Sequence, residues 1–169
     1  MQNLMQNKTQ IRWTWRWFDE LPATEVYEML AVRQQVFVVE QDCLYLDADG
    51  RDSNAWHLFG YDPHQQLIAY ARLLPPNTRY PEPSIGRVLV RKAARGHGLG
   101  RQLITLCLEK CGAEYPEQNV RISAQVYLTE FYKSFGFQPT GEPYDDGGIP
   151  HVGMVLYAQS GWGESNPHH

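Results

Sequence analysis

Val88-Leu89-Val90-Arg91-Lys92-Ala93-Ala94-Arg95-Gly96-His97-Gly98-Leu99-Gly100-Arg101 runs from an apolar strand-like triplet through a short basic loop into alternating glycines and a helix. Glycines at 96, 98 and 100 remove side chains where backbone N–H groups converge. Those amides and the positive end of the following helix form a site for phosphate oxygens. The spacing is G-x-G-x-G, not the G-x-G-x-x-G of dinucleotide folds, and no G-x-x-x-x-G-K-[ST] occurs to suggest a nucleoside triphosphatase. From Ile85 to Leu108 the cations Arg87, Arg91, Lys92, Arg95 and Arg101 stand without a single Asp or Glu, so this end of the molecule suits an anion.

Outward from this segment, strands and helices alternate. Ile11, Trp13, Trp15 and Trp17 alternate with Arg12, Thr14 and Arg16, the period of a half-buried strand. After Leu21-Pro22, Val26, Met29, Leu30, Val36 and Phe37 recur at helical spacing, interrupted by Arg33. Such an arginine either snorkels to the surface or points into a cleft. Leu44 to Asn54 reads as an acidic loop. A hairpin follows, Trp56 to Tyr61 and Leu67 to Leu74, broken at Asp62-Pro63-His64. Ile85 to Val90 reads as a central strand, and a helix from about Gly98 to Cys111 is expected to stop at Gly112. Val120, Ile122 and Ala124 mark another strand. Leu128, Phe131, Tyr132 and Phe135 mark a short helix ended by Gly136. Phe137 to Thr140 and Val152 to Tyr157 are final strands around a loop holding Asp145-Asp146-Gly147-Gly148. The class is therefore α/β or α+β with a mixed sheet.

Composition bounds the rest. The chain has 169 residues, 43% of them hydrophobic and 12% aromatic, enough to build one sizeable core. One domain over 1–169 is expected, with 1–10 and 159–169 frayed. The longest apolar stretch, Leu103 to Leu108, falls far short of the roughly 18 residues a membrane span needs. The polar opening Met1 to Gln10 carries no secretory signal, which makes the expected compartment cytoplasmic. Fifteen cations against nineteen acids give a net charge of −4, which speaks against general nucleic-acid binding. Cys43, Cys107 and Cys111 read as buried free thiols, too sparse with their neighbours for a zinc site, so no metal is expected. Glu40, Asp42, Asp47, Asp49 and Asp52 face only Arg51 between 40 and 52, a pattern that suggests a cationic partner.

At Arg95-Gly96-His97-Gly98-Leu99-Gly100 the sequence resembles the GCN5-related N-acetyltransferases, whose signature is [QR]-x-x-G-x-[GA] after a strand. A second segment, Gln125 to Phe137, is similar to the family's N-x-x-A-x-x-[FL]-Y-x-x-x-G-F, with Gln125 in place of Asn and Leu128 in place of Ala. Arg33 to Cys43 and Asp49 to Asp52 look like the ElaA-type subfamily. The resemblance implies a mixed, mostly antiparallel central sheet of six to seven strands flanked by about four helices, and acetyl coenzyme A as donor. It implies that Val88, Leu89 and Val90 pair with the pantetheine arm. The amides around Arg95, Gly96, His97, Gly98, Leu99, Gly100 and Arg101 would hold the pyrophosphate, with Gln125 beside the cofactor. Tyr132 falls where the family places the acid that protonates the departing thiolate.

The activity so implied is acetyl transfer to a primary amine, small or peptidic, by direct attack in a ternary complex. No cysteine sits in a recognisable nucleophile setting. An amine of ordinary pKa is almost wholly protonated near neutrality, so a base is required. Neither central strand carries a carboxylate, which leaves Glu40, His57 and Asp145 as candidates. Two readings compete with this one: a coenzyme A-binding module without turnover, and a different acyl transfer, since R-x-x-V-F-x-x-E is also faintly similar to acyl-homoserine-lactone synthases. An exposed sheet edge leaves dimerisation open.

Overall fold

The computed structural model describes residues 10–159, so the expected frayed ends fall almost wholly outside it. The strands are β1 (Arg12–Trp17), β2 (Trp56–Tyr61), β3 (Leu67–Leu74), β4 (Ser84–Val90), β5 (Val120–Gln125), β6 (Gln138–Asp146) and β7 (Ile149–Leu156). The helices are α1 (Ala23–Arg33), which continues without a break as seven π-helical residues Gln34–Glu40, then α2 (Leu99–Glu114) and the short α3 (Thr129–Lys133). One seven-stranded sheet results, in the order β1-β2-β3-β4-β5-β7-β6, antiparallel at every junction except β4–β5. Among the described residues three α-helices flank it, where about four were expected. Among the described residues no helix is long and apolar enough to cross a membrane.

Alternation along the strands divides the core between the two faces of the sheet. Leu58, Ala69, Ala71 and Leu73 meet Leu103, Ile104, Cys107 and Cys111 of α2 on one face. Phe59, Tyr61, Tyr70 and Leu89 meet Met29, Val32, Val36 and Phe37 of α1 and its π turns on the other. Of the boundaries that differ from the sequence reading, two bear on the core and the hairpin. Gly112 does not stop α2, which runs to Glu114 and closes through Tyr115 N–H donating to Cys111 O at 2.8 Å. A mid-helix glycine costs only about 1 kcal/mol against Ala, and the buried Cys107 and Cys111 anchor the last turns. Asp145 and Asp146 belong to β6, not to a loop. The turn itself is Gly147-Gly148, both at positive φ, 63° and 84°, which suits the tight two-residue hairpin.

Beneath the end of α1 lies a charged cluster. Arg33 is fully buried; its Nε donates to Asp47 Oδ2 at 2.8 Å and its Nη1 to Asp52 Oδ1 at 2.6 Å. Arg72 of β3, 1% exposed, grips both oxygens of Asp49 at 2.8 Å and reaches Asp52 at 3.0 Å. Arg87 of β4 donates through Nε to Asp47 Oδ1 at 2.8 Å. Three guanidinium groups thus face three carboxylates. Burial alone would raise the carboxyl pKa of Asp49 and Asp52, but the arginine hydrogen bonds and charges outweigh it and hold both below the usual range. Beside them His57 of β2 is sealed from solvent. Its Nε2 lies 2.9 Å from Asp52 O, which can only accept, so Nε2 carries the proton and Nδ1 accepts from the Tyr70 hydroxyl at 2.6 Å. Burial pushes its pKa down to about 4, aided by the charges of Arg33 and Arg72.

This arrangement sets how stability depends on pH. A depressed His57 contributes stability that is complete above about pH 6.5 and is lost as pH falls toward about 4, worth about 3 kcal/mol at most. Below that, protonation of Asp49 and Asp52 removes a further share. Urea unfolding followed across this range should show falling stability on acidification in the wild type. His57→Gln should be less stable at neutral pH but flat between about pH 6.5 and pH 4; an unchanged slope in the variant would assign the acid sensitivity elsewhere.

Candidate functional site

The parallel junction of β4 and β5 is a ladder of one register pair, Ser84↔Arg121. Arg87 takes φ 51°, and the β3–β4 register shifts between Tyr70 and Arg72. Such a bulge bends a strand and ends its pairing. Beyond Ser84, β4 therefore presents a free edge to a cleft of about 140 Å3 that separates Gly86, Arg87 and Val88 from Ile122 to Gln125. Phe37, Cys43 and Tyr45 line it from the π turns and the acidic loop; Asp146, Gly147, Ile149 and His151 line it from the β6–β7 hairpin. Val88 and Val90 pack against the α2 core, and Leu89 is buried under α1.

At the end of β4 the chain passes through Lys92–Ala94 into the glycine run. Gly96 and Gly98 adopt φ 85° and 78°, which a β-carbon would oppose. Gln102 N–H is the first helical donor, to Gly98 O at 3.2 Å, and among the described residues the amides from Gly96 to Arg101 donate to no backbone carbonyl. They are the unsatisfied donors of a helix start. Beside them a larger cavity of about 1030 Å3 is lined by Gln35, Val36 and Glu40 on one side and by Arg91, Lys92, His97 and Leu99 on the other. Arg95 pairs with Glu40 and also donates to Val90 O at 2.9 Å. Arg101 turns away to α3, donating to Ser134 Oγ at 3.0 Å over the Phe135 ring.

Tyr132 lines the cleft between the strands, 8% exposed, edge-on to Phe131 and Phe137. Burial raises its pKa well above that of an ordinary phenol, so it is neutral and carries its proton. Gln125 lines the same cleft from the end of β5. The three base candidates are not brought together there. Glu40 borders the other cavity, bound to Arg95. His57 has both ring nitrogens engaged and no route to the cleft. Asp145 is exposed on β6 and is not part of the lining, whereas Asp146 is.

Four of the five acids in the acidic stretch are already paired within the protein, and Asp42 is the exposed remainder. Glu40 is paired with Arg95, and Asp47, Asp49 and Asp52 are paired with Arg33, Arg72 and Arg87. The thiols are quiet as well. Burial raises Cys107 strongly and pushes Cys111 up to about 11, while Cys43 Sγ donates to Gly147 O at 2.9 Å.

Ser123, Asp146 and His151 reach the cleft without having been singled out from sequence. For Ser123 a signal existed, since it falls on the polar side of the alternating Val120, Ile122 and Ala124. His151 precedes the expected last strand, which in fact begins at Ile149.

Comparison with known proteins follows the same lines. Residues 24–158 match the family model described as an acetyltransferase (GNAT) domain. A UPF0039 protein of Synechocystis sp. is 58% identical over 147 residues, 87% of this chain and 96% of that protein. The crystal structure of Escherichia coli ElaA superposes with a TM-score of 0.81 at 40% identity, covering 86% of this chain and 99% of that one. An acyl-CoA N-acyltransferase from Pseudomonas aeruginosa gives 0.83 at 38% identity, with coverage of 86% and 99%.

The contact between loop and hairpin that closes one side of the cleft can be tested by itself. A β-carbon on Gly147 would lie 2.6 Å from Cys43 Sγ, at a φ of 63°. Gly147→Ala should lower stability by about 1–3 kcal/mol in thermal unfolding. In a Cys43→Ala background the loss should shrink toward the backbone share alone; equal losses in both backgrounds would show that the two segments do not press on each other.

Proposed function

The chain belongs to the GNAT acetyltransferase family, and from that premise we propose that it transfers an acetyl group from acetyl coenzyme A to a primary amine by direct attack. The observation that carries this reading is the free edge of β4, which runs from the interstrand cleft to the unsatisfied amides at the start of α2. An extended amide-bearing arm can pair with such an edge as an added strand, and its diphosphate suits the helix N-terminus. Val88, Leu89 and Val90 would hold the arm; Gly96 to Arg101 would hold the diphosphate.

In the reaction the amine nitrogen bonds to the thioester carbonyl carbon, the C–S bond breaks, the amine gives up a proton and the thiolate takes one. Tyr132, neutral through burial, supplies the proton to sulfur. Raised thiol pKa values at Cys107 and Cys111 favour direct attack over an acyl-enzyme. Bringing both reactants into one cleft replaces that extra step.

Free-thiol release from acetyl coenzyme A across a panel of amines tests the reading. Tyr132→Phe should lower kcat by roughly 10²-fold while coenzyme A binds with unchanged heat in calorimetry. Gly98→Trp should abolish that binding, because the side chain opposes a φ of 78° and fills the space before the amides. Full binding by the wild type without thiol release for any amine would leave a binding module in place of an enzyme.

A further inference from the structure

We propose that His151 is the general base of this site, a role that rests on the acetyl-transfer reading above. β5 and β7 pair with Gln125 opposite His151 and Ser123 opposite Gly153. Partners in a ladder share a face, and Ile122, Ala124, Val152 and Met154 already occupy the face buried under the helices. His151 therefore stands on the opposite face, where it lines the same cleft as Tyr132 and Gln125.

The ring is held in one tautomer. Nδ1 lies 2.7 Å from Ile149 O. A carbonyl only accepts, so Nδ1 carries the hydrogen and Nε2 keeps its lone pair. Tyr144 stacks on the ring at a centroid distance of 6.2 Å and an interplanar angle of 23°, and its own hydroxyl is hydrogen-bonded to Ser123 Oγ. Orientation by a carbonyl on one nitrogen, with no protein partner on the other among the described residues, is how a base is poised.

The other proton acceptors are placed worse. Glu40 is bound to Arg95 at the far cavity, and His57 is sealed with both nitrogens engaged. Asp146 lines the cleft but is exposed at the hairpin turn with no side-chain partner holding it among the described residues. Acid and base then come from different elements, Tyr132 from α3 and His151 from β7. Nε2 takes a proton from the ammonium, the freed lone pair attacks the thioester carbon, and as the C–S bond breaks Tyr132 protonates the sulfur while the nitrogen, now bonded to carbon, loses its second proton to solvent. The imidazolium returns its proton to solvent, and the tyrosinate regains one from it.

The test uses the full chain, wild type and His151→Gln, saturated with coenzyme A for the spectra and supplied with acetyl coenzyme A alone for turnover. Long-range 1H–15N spectra near neutral pH need no acceptor and should show His151 with Nδ1 protonated and Nε2 bare. Thiol release is followed with 2-phenylethylamine, mostly ammonium near neutral pH, and with aniline, mostly neutral. His151→Gln should lose roughly 10²-fold with the first and less than about tenfold with the second, since only the first must shed an ammonium proton before attack. Coenzyme A should bind both proteins equally in calorimetry. An Nε2-protonated tautomer, or equal turnover of 2-phenylethylamine by the two proteins, overturns the role of His151 alone. Failure of the wild type to bind coenzyme A overturns the acetyl-transfer reading and this role with it.

Discussion

Three arginines and three aspartates, buried or half-buried under the end of α1, tie an acidic loop to α1 and to the paired strands β3 and β4. Arg33 ends α1, Arg72 and Arg87 stand on β3 and β4, and Asp47, Asp49 and Asp52 all lie on one loop. A buried charge without a partner is strongly destabilising, so the loop is held at several points at once or not at all. That loop carries Cys43 and Tyr45 to the cleft. One wall of the site is thus fixed by electrostatics and not by hydrogen bonding within a sheet.

The opposite constraint shapes the other wall. β4 and β5 meet at one register pair and then part, leaving main-chain groups of β4 without a strand partner where a substrate can supply one. The bulge at Arg87 serves both arrangements, since it turns β4 away from β5 and places a guanidinium against Asp47. The site combines a cleft polar on its β5–β7 face with an apolar floor from the α2 core. The tyrosine and the histidine in it are both held by packing rather than by exposed loops.

Much of this was legible from residues. The glycine run marked the turn from β4 into α2, and alternation at Trp13 to Trp17 and at Val120 to Ala124 marked two of the strands. The arginine inside an apolar helical stripe was the visible trace of the buried cluster. Its partners were not visible: Asp47, Asp49 and Asp52 read as an acidic loop because Arg72 and Arg87 lie about 20 to 40 residues further on, Arg72 inside a largely apolar strand and Arg87 within the segment read as cationic. His57 looked like a reactive imidazole because composition carries no burial, while His151 hid beside Pro150, a residue that reads as the end of a strand.

A ladder of one rung also bears on how the chain is made. Apart from that one rung, Ser84 with Arg121, every backbone partner in the ladders of β1 to β4, and every member of the arginine–aspartate cluster, lies within the first ninety residues. A nascent chain emerging from the ribosome can close that meander and neutralise its charges before β5 has been synthesised. The second half, β5 with β7 and β6, then completes its own antiparallel pairings. Sequential completion of local contacts of this kind spares the chain the slow search that a long parallel ladder imposes.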